Sequence, residues 1–165
     1  MSGFFPMSLV TPIMESFERL LPEHQVVARS LGLSEGTDTI GVFPSAWRPI
    51  ENSTLMGMTL GNMASTEPSL GSYAIRIQNL RIDADEIIGR EAFNNTCKKI
   101  KAILYRDPVL QLALRSLTEE LLGTVERMKK FDIVKQDYLS SMTNMGMFYL
   151  GTTEVIFQTE STPTS

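Results

Sequence analysis

The chain has 165 residues, of which 42% are hydrophobic and 21% charged, and its formal net charge is −4. This length and composition predict one globular domain that buries a core without metal or disulfide cross-links. The single cysteine excludes an internal disulfide and is typical of a reducing, cytosolic compartment. No basic residue precedes Arg19, so the apolar start of the chain is not expected to be a secretory signal.

The charged residues do not indicate a nucleic-acid or membrane partner. Residues 1–70 hold three basic and seven acidic side chains. The densest cationic cluster (Lys98, Lys99 and Lys101) falls on a predicted helix, where it is typical of a solvated face. Duplex binding needs clustered cations against the phosphates, and a membrane span needs ~18 apolar residues in a row. We therefore expect no sequence-specific nucleic-acid binding and no membrane partner.

The first part of the chain predicts helices and then a long loop. Thr11–Leu21 has the periodicity of an amphipathic helix, with Pro12 at its first position, and 23–31 continues in helical composition after Pro22. We therefore predict an N-terminal helical segment over 11–32. Gly, Ser, Thr, Asn and Pro dominate residues 44–70, which predicts a long loop or arm.

An α+β core is predicted over residues 72–160. Alternation over Ser72–Ile82 indicates a strand with Tyr73, Ile75 and Ile77 on one side. Asp83 is the predicted cap of the following helix, because Glu86 stands at the capping-box spacing. The apolar stripe of that helix comprises Ala92, Phe93, Thr96, Cys97, Ile100, Ile103 and Leu104.

Asp107 and Pro108 predict a break between two helices. Proline disfavours helical geometry at the preceding residue, so the first helix should end near Arg106. Asp107 can then cap the next helix and Pro108 can occupy its first position. We expect that second helix to run from Val109 to a left-handed glycine, Gly123.

The remainder of the chain has β composition. Residues 124–138 and 147–159 predict two strands, joined by a turn-prone stretch over 140–146. Residues 161–165 predict a flexible tail. Together these patterns indicate an α+β fold, with a mainly antiparallel sheet and two or three helices packed on one face.

Few residues in this pattern are suited to catalysis. The only histidine, His24, has no second base or nucleophile placed beside it in sequence, and Cys97 belongs to the apolar stripe of a helix. Asp83, Asp85 and Glu86 lack the glycine spacing of a calcium loop and suit a helix start instead. We therefore predict no catalytic, cofactor-binding or metal-binding residues, and no enzyme.

The methionines are the candidate contact residues. Ten are present, and two groups fall in the predicted loops. Flexible thioethers suit adaptable contact surfaces as well as core gaps. We therefore predict contacts between subunits at Met56, Met58, Met142, Met145 and Met147.

The order of elements resembles that of the tail-terminator (tail-completion) proteins of long-tailed bacteriophages. The likeness rests on a helix at 11–21 followed by four stretches: Tyr73–Gln78 (YAIRIQ), Ala102–Leu110 (AILYRDPVL), Leu117–Gly123 (LTEELLG) and Phe148–Glu160 (FYLGTTEVIFQTE). It is a likeness of element order without a diagnostic motif. Residues 35–70 fall outside it.

This resemblance implies a structural subunit of the virion, made in the host cytoplasm, that is not an enzyme. Such subunits form a homo-oligomeric ring, commonly a hexamer, at the head-proximal end of the tail. The ring ends tail-tube polymerisation and joins the tube to the head, so the implied partners are further copies, the tail-tube protein and head–tail connector proteins. DNA would pass through the lumen, beside a surface that we expect to be acidic and repulsive.

Two other functions fit the same sequence features. One is a head–tail connector or adaptor subunit of the neck, which would share every pattern described above. The other is a small cytosolic adaptor or chaperone that binds one partner through the arm at 44–70. The adaptor would be a monomer or dimer, whereas a ring subunit would self-assemble.

Overall fold

The computed structural model describes residues 7–32, 35–49 and 69–163. In chain order the elements are α1 (Met7–Leu20), β1 (Gln25–Val27), β2 (Thr39–Pro49), β3 (Ser69–Asp83), α2 (Glu86–Arg106), α3 (Pro108–Arg115), β4 (Thr118–Leu121), β5 (Thr124–Thr143) and β6 (Gly146–Pro163). The strands form one six-stranded sheet in the order β1-β2-β3-β6-β5-β4. Among the described strands, only the β1–β2 pair is parallel. The predicted α+β fold is therefore confirmed.

The three helices of the described part pack on one face of this sheet, here called the covered face. Tyr73, Ile75 and Ile77 of β3 are buried on it as the alternation predicts, and β6 adds Val155 and Phe157. The helices contribute the other side of the core, with Leu9, Val10, Ile13, Phe17, Ile100, Ile103, Leu104, Leu110 and Leu114. The second face of the sheet, here called the open face, has no helix on it among the described residues.

The predicted break between the helices is confirmed. Asp107 has extended backbone angles, and its N–H donates to the carbonyl oxygen of Ile103, which ends α2. Its carboxylate accepts a hydrogen bond from the N–H of Leu110, and Pro108 occupies the first turn of α3. One residue therefore caps two helices.

The N-terminal predictions are partly wrong. The first helix begins at Met7, so Pro12 lies inside it and not at its first position. The earlier turn is stabilised by burial of Leu9 and Val10 in the core. Residues 23–31 are not helical, because Gln25–Val27 pairs with Thr39–Gly41 as β1.

The predicted loop over 44–70 is too long at both ends. β2 continues to Pro49 and β3 begins at Ser69, and the two strands pair across Pro49 and Gly71. The register of β2 is irregular at Ser45, directly after Pro44, as is common where a proline occurs in an edge strand. The middle of the predicted arm, residues 50–68, lies outside the described residues.

The second half also differs from the prediction in three places. Asp85, and not Asp83, caps α2. The next helix ends at Arg115, because Thr118–Leu121 pairs with β5 as β4. Gly123 has the expected positive φ, but it lies with Leu122 in the β4–β5 turn.

The terminal hairpin is longer than predicted. The strand partners Thr143 and Gly146 flank a two-residue turn, so most of the predicted connection over 140–146 is strand. Residues 161–163 belong to β6, which contradicts a flexible tail there, and 164–165 lie outside the described residues.

Candidate contact surfaces

His24 has a packing role, and no described residue is placed to act with it in catalysis. It lies in the turn before β1 and not on a helix, with Nε2 3.4 Å from Oγ1 of Thr96. Its Nδ1 is buried and has no partner among the described atoms. Burial lowers the pKa of His24, against the opposing effects of Asp38 and Glu23. The neutral ring joins the turn to α2.

Cys97 also has a packing role. It is half-buried between α2 and the sheet, where Nδ2 of Asn79 lies 3.4 Å from its Sγ. Burial raises the pKa of the thiol. A nucleophilic cysteine needs the opposite shift, so this environment does not activate it.

The acidic residues at the start of α2 are used in local structure. Asp85 accepts hydrogen bonds from the N–H groups of Ile87 and Ile88, at 2.9 Å and 3.0 Å. Asp83 pairs with Arg81 at 2.7 Å. Within 7–32, 35–49 and 69–163, no group of three or more His, Cys, Asp or Glu residues is placed to hold a metal ion.

A buried carboxylate on the covered face was missed by sequence analysis. Oε2 of Glu126 accepts hydrogen bonds from Tyr73 at 2.8 Å and from Thr159 at 2.6 Å. Oε1 is buried and has no partner among the described atoms. The sequence carried no signal for this cluster, because its members come from three strands that are far apart in the chain.

The open face alternates basic and acidic side chains. Arg76, Glu154 and Lys135 lie side by side on β3, β6 and β5, and Arg76 Nε is 3.8 Å from Glu154. The next row runs through Gln78, Thr152 and Asp137. Over the described residues this face is therefore mixed in charge.

The outer edge of β5 is mostly unpaired. β4 covers only Thr124–Arg127, and no other described strand pairs with β5 on that side. The remaining edge, from Met128 to Thr143, is about 50 Å long at ~3.3 Å per residue. In an antiparallel edge strand, every second residue points its N–H and C=O away from the sheet.

The first part of this edge is protected. Register irregularities occur between Met128 and Lys130 and between Ile133 and Lys135. Tyr105 of α2 closes the edge between them: its hydroxyl hydrogen-bonds to Asp132 and accepts from the N–H of Ile133 at 3.0 Å. Lysines and bulges of this kind keep edge strands from pairing with other chains.

The second part, Gln136–Thr143, has none of these features and is here called the free edge. It contains no lysine, proline or register irregularity, and Asp137 is its one charged residue. Tyr138 and Leu139 are 59% and 57% exposed. The free edge is therefore regular, nearly uncharged and accessible in the isolated chain.

The predicted methionine contacts lie at the end of this edge or outside the described residues. Met142 and Met145 are 71% and 69% exposed, whereas Met147 is half-buried in β6. Met56 and Met58 fall within 50–68, outside the described part. Contact between subunits at these residues stays a prediction.

Comparisons with known proteins identify no family for this chain. No helix among the described residues has the length and apolar character to cross a bilayer. Searches against protein-family models and curated protein sequences found no match to this chain.

Proposed function

We propose that this chain is a structural, non-enzymatic subunit of a bacteriophage virion, the tail terminator. Copies form a ring at the head-proximal end of the tail, end the polymerisation of the tail tube, and join the tube to the head. The partners are further copies of the chain, the tail-tube protein and the head–tail connector proteins. The ring is a virion component assembled from subunits made in the host cytoplasm.

The observation that carries this proposal is the one-sided construction of the sheet. Among the described residues, three helices cover one face of the sheet, no helix lies on the open face, and no strand pairs with the free edge of β5. An exposed, regular strand edge is a template for pairing with another chain, and proteins that stay monomeric protect such edges. This arrangement favours a subunit of an assembly over a protein that stays monomeric.

The chemistry of the described residues supports a structural role. His24 and Cys97 both pack against neighbouring elements. Burial lowers the pKa of His24 and raises the pKa of Cys97, so it favours the neutral form of each. One depression on the open face is lined by two ion pairs, Arg76–Glu154 and Lys135–Asp137. Such a surface suits contact with another protein or with a solvated lumen.

The proposal is tested by the mass and shape of the purified protein. We expect size-exclusion chromatography with light scattering to give one species whose mass is a whole-number multiple of the 18.4 kDa of one chain. Negative-stain images of that species should show rings with a central opening. A compact monomer at every concentration, both alone and mixed with tail tubes, would contradict the proposal and favour the adaptor function.

A further inference from the structure

We propose that the free edge of β5 pairs, backbone to backbone, with the edge of β2 in a second copy of this chain. The inference deepens the proposed function and rests on it for the closure of the ring, because it names the contact between neighbouring copies. The sheet of one copy would then continue into the sheet of the next.

The contrast within β5 is the first argument. Thr124–Arg127 is covered by β4, and the stretch up to Lys135 is protected by bulges, lysines and Tyr105. Only Gln136–Thr143 keeps regular geometry without protection. A chain that protects most of an edge and leaves eight residues open reserves those residues for a partner.

The second argument is that the chain carries a matching edge. β1 covers only Thr39–Gly41, so the outer side of β2 is unpaired from Val42 to Pro49 among the described residues. That stretch also has eight residues, but the irregularity at Ser45 interrupts it, so its regular part is 46–49. The two edges lie at opposite ends of the sheet, as a head-to-tail contact requires.

Strand direction is also compatible. β2 is antiparallel to β3, which is antiparallel to β6, which is antiparallel to β5. β2 and β5 therefore run in opposite directions. In a ring whose axis runs along the strands, the rotation between neighbours leaves strand direction unchanged. The neighbour's β2 would then meet β5 as an antiparallel partner, like most pairs within the sheet.

Charge supports one register. Each eight-residue stretch contains a single charged residue, Arg48 in β2 and Asp137 in β5. Aligning the stretches end to end, with Pro49 opposite Gln136, brings positions 48 and 137 together. Both positions belong to the open face, because their strand partners Ser72 and Thr152 do. Opposite charges facing each other across strands stabilise pairing.

The prolines of β2 limit the contact without preventing it. Pro44 and Pro49 have no N–H, so they offer the neighbour fewer donors than a regular edge does. A contact between two β2 strands would lose donors on both sides, so the prolines disfavour pairing of β2 with itself in a second copy. A proline-poor free edge on β5 and a proline-containing edge on β2 therefore favour the mixed contact.

A charge-reversal cycle tests the register. We expect each single variant, Arg48→Asp or Asp137→Arg, to lose the assembled species and to remain a folded monomer of 18.4 kDa. The double variant should form the assembled species again. Glu91→Arg is the matched control, because Glu91 is exposed on α2, away from both edges, and should leave assembly unchanged. Assembly that survives both single reversals would overturn the inference while leaving the ring in place.

A disulfide cross-link gives an independent measurement. In a Cys97→Ser background, the pair Arg48→Cys and Asp137→Cys should form a disulfide only between chains. Within one chain these positions are separated by β3 and β6, a distance of at least about 14 Å, which no disulfide spans. We expect oxidation to give a ladder of covalent oligomers on a denaturing gel.

The outcomes separate the two proposals. A ladder together with ring particles supports both of them. A ladder from open chains or dimers supports the edge contact and contradicts the ring, whereas rings without a ladder contradict the edge contact alone. A monomer without cross-links contradicts both.

Discussion

The guanidinium of Arg19 in α1 donates a hydrogen bond to the carboxylate of Asp107 between α2 and α3. Asp107 is only 7% exposed and also caps α3 through the N–H of Leu110. A single carboxylate therefore ends one helix, starts the next and holds the first helix against both. This makes Asp107 the polar centre of the helical layer.

Replacing Asp107 with alanine should destabilise the fold. The variant loses a helix cap, which costs about 1 kcal/mol, and the ion pair with Arg19, so we expect a loss of about 1–2 kcal/mol. Urea unfolding followed by circular dichroism measures this. Asp85→Ala is the comparison, because Asp85 caps α2 and forms no ion pair with any residue that the structure describes. An equal loss in the two variants would mean that the Arg19 contact adds nothing.

The charge of Asp107 should also appear in the pH dependence of stability. Burial acts to raise its pKa, but hydrogen bonds from Ser16 and Arg19 outweigh burial and hold the pKa below its ordinary value of 3.8. A lowered carboxyl pKa stabilises the fold above the unfolded pKa, and this contribution is lost as the pH falls through the folded value. We expect the stability gap between the native chain and Asp107→Asn to narrow below about pH 4. A gap that is constant from pH 6 to pH 3 would contradict this.

His24 should give the opposite of the usual histidine behaviour. Burial lowers its pKa from 6.5, so the unfolded chain binds the proton more readily than the folded chain. The neutral histidine therefore stabilises the fold above about pH 6.5, and this stability is lost as the pH falls toward the folded pKa. We expect the free energy of unfolding to decrease between about pH 7 and pH 5 in the native chain and less so in His24→Gln. Parallel pH curves for the two proteins would count against it.

Two glycines should differ in their tolerance of alanine. Gly123 has φ +82° in the β4–β5 turn, with no atom within 4 Å of an added Cβ. Gly146 has φ +121°, and an added Cβ would strike the backbone of Asp83 and Ala84. We expect Gly123→Ala to cost roughly 1–2 kcal/mol from backbone strain, and Gly146→Ala to cost more because the strand must also move. Thermal unfolding of both variants shows which one loses more stability. An equal loss of stability in the two would contradict the expected clash at Gly146.

Local chemistry explains which parts of the fold were predictable. Proline restricts its preceding residue whatever the fold, so the helix break at Asp107 is visible in two letters. Alternation along β3 is equally local, since opposite faces of a strand meet different surroundings. The α+β class follows from these patterns and from the β composition of the last forty residues or so.

The incorrect boundaries share a different cause. Gln25–Val27 has helical surroundings in sequence, but it is a strand because it pairs with Thr39–Gly41 of β2. Thr118–Leu121 leaves the predicted helix for the same reason, with β5 as its partner. Strand pairing with a distant segment outweighs weak local propensity in both cases.

The amino-acid order alone therefore determined the class of fold, the junction at Asp107 and the scarcity of catalytic groups. Tertiary structure alone decided which strand edges stay open, because an edge is defined by the absence of a neighbour and not by its own residues. The same holds for Glu126, whose hydrogen-bond partners, Tyr73 and Thr159, lie on separate strands. Pairing between distant strands is set by the packing of the whole sheet, which no local pattern encodes.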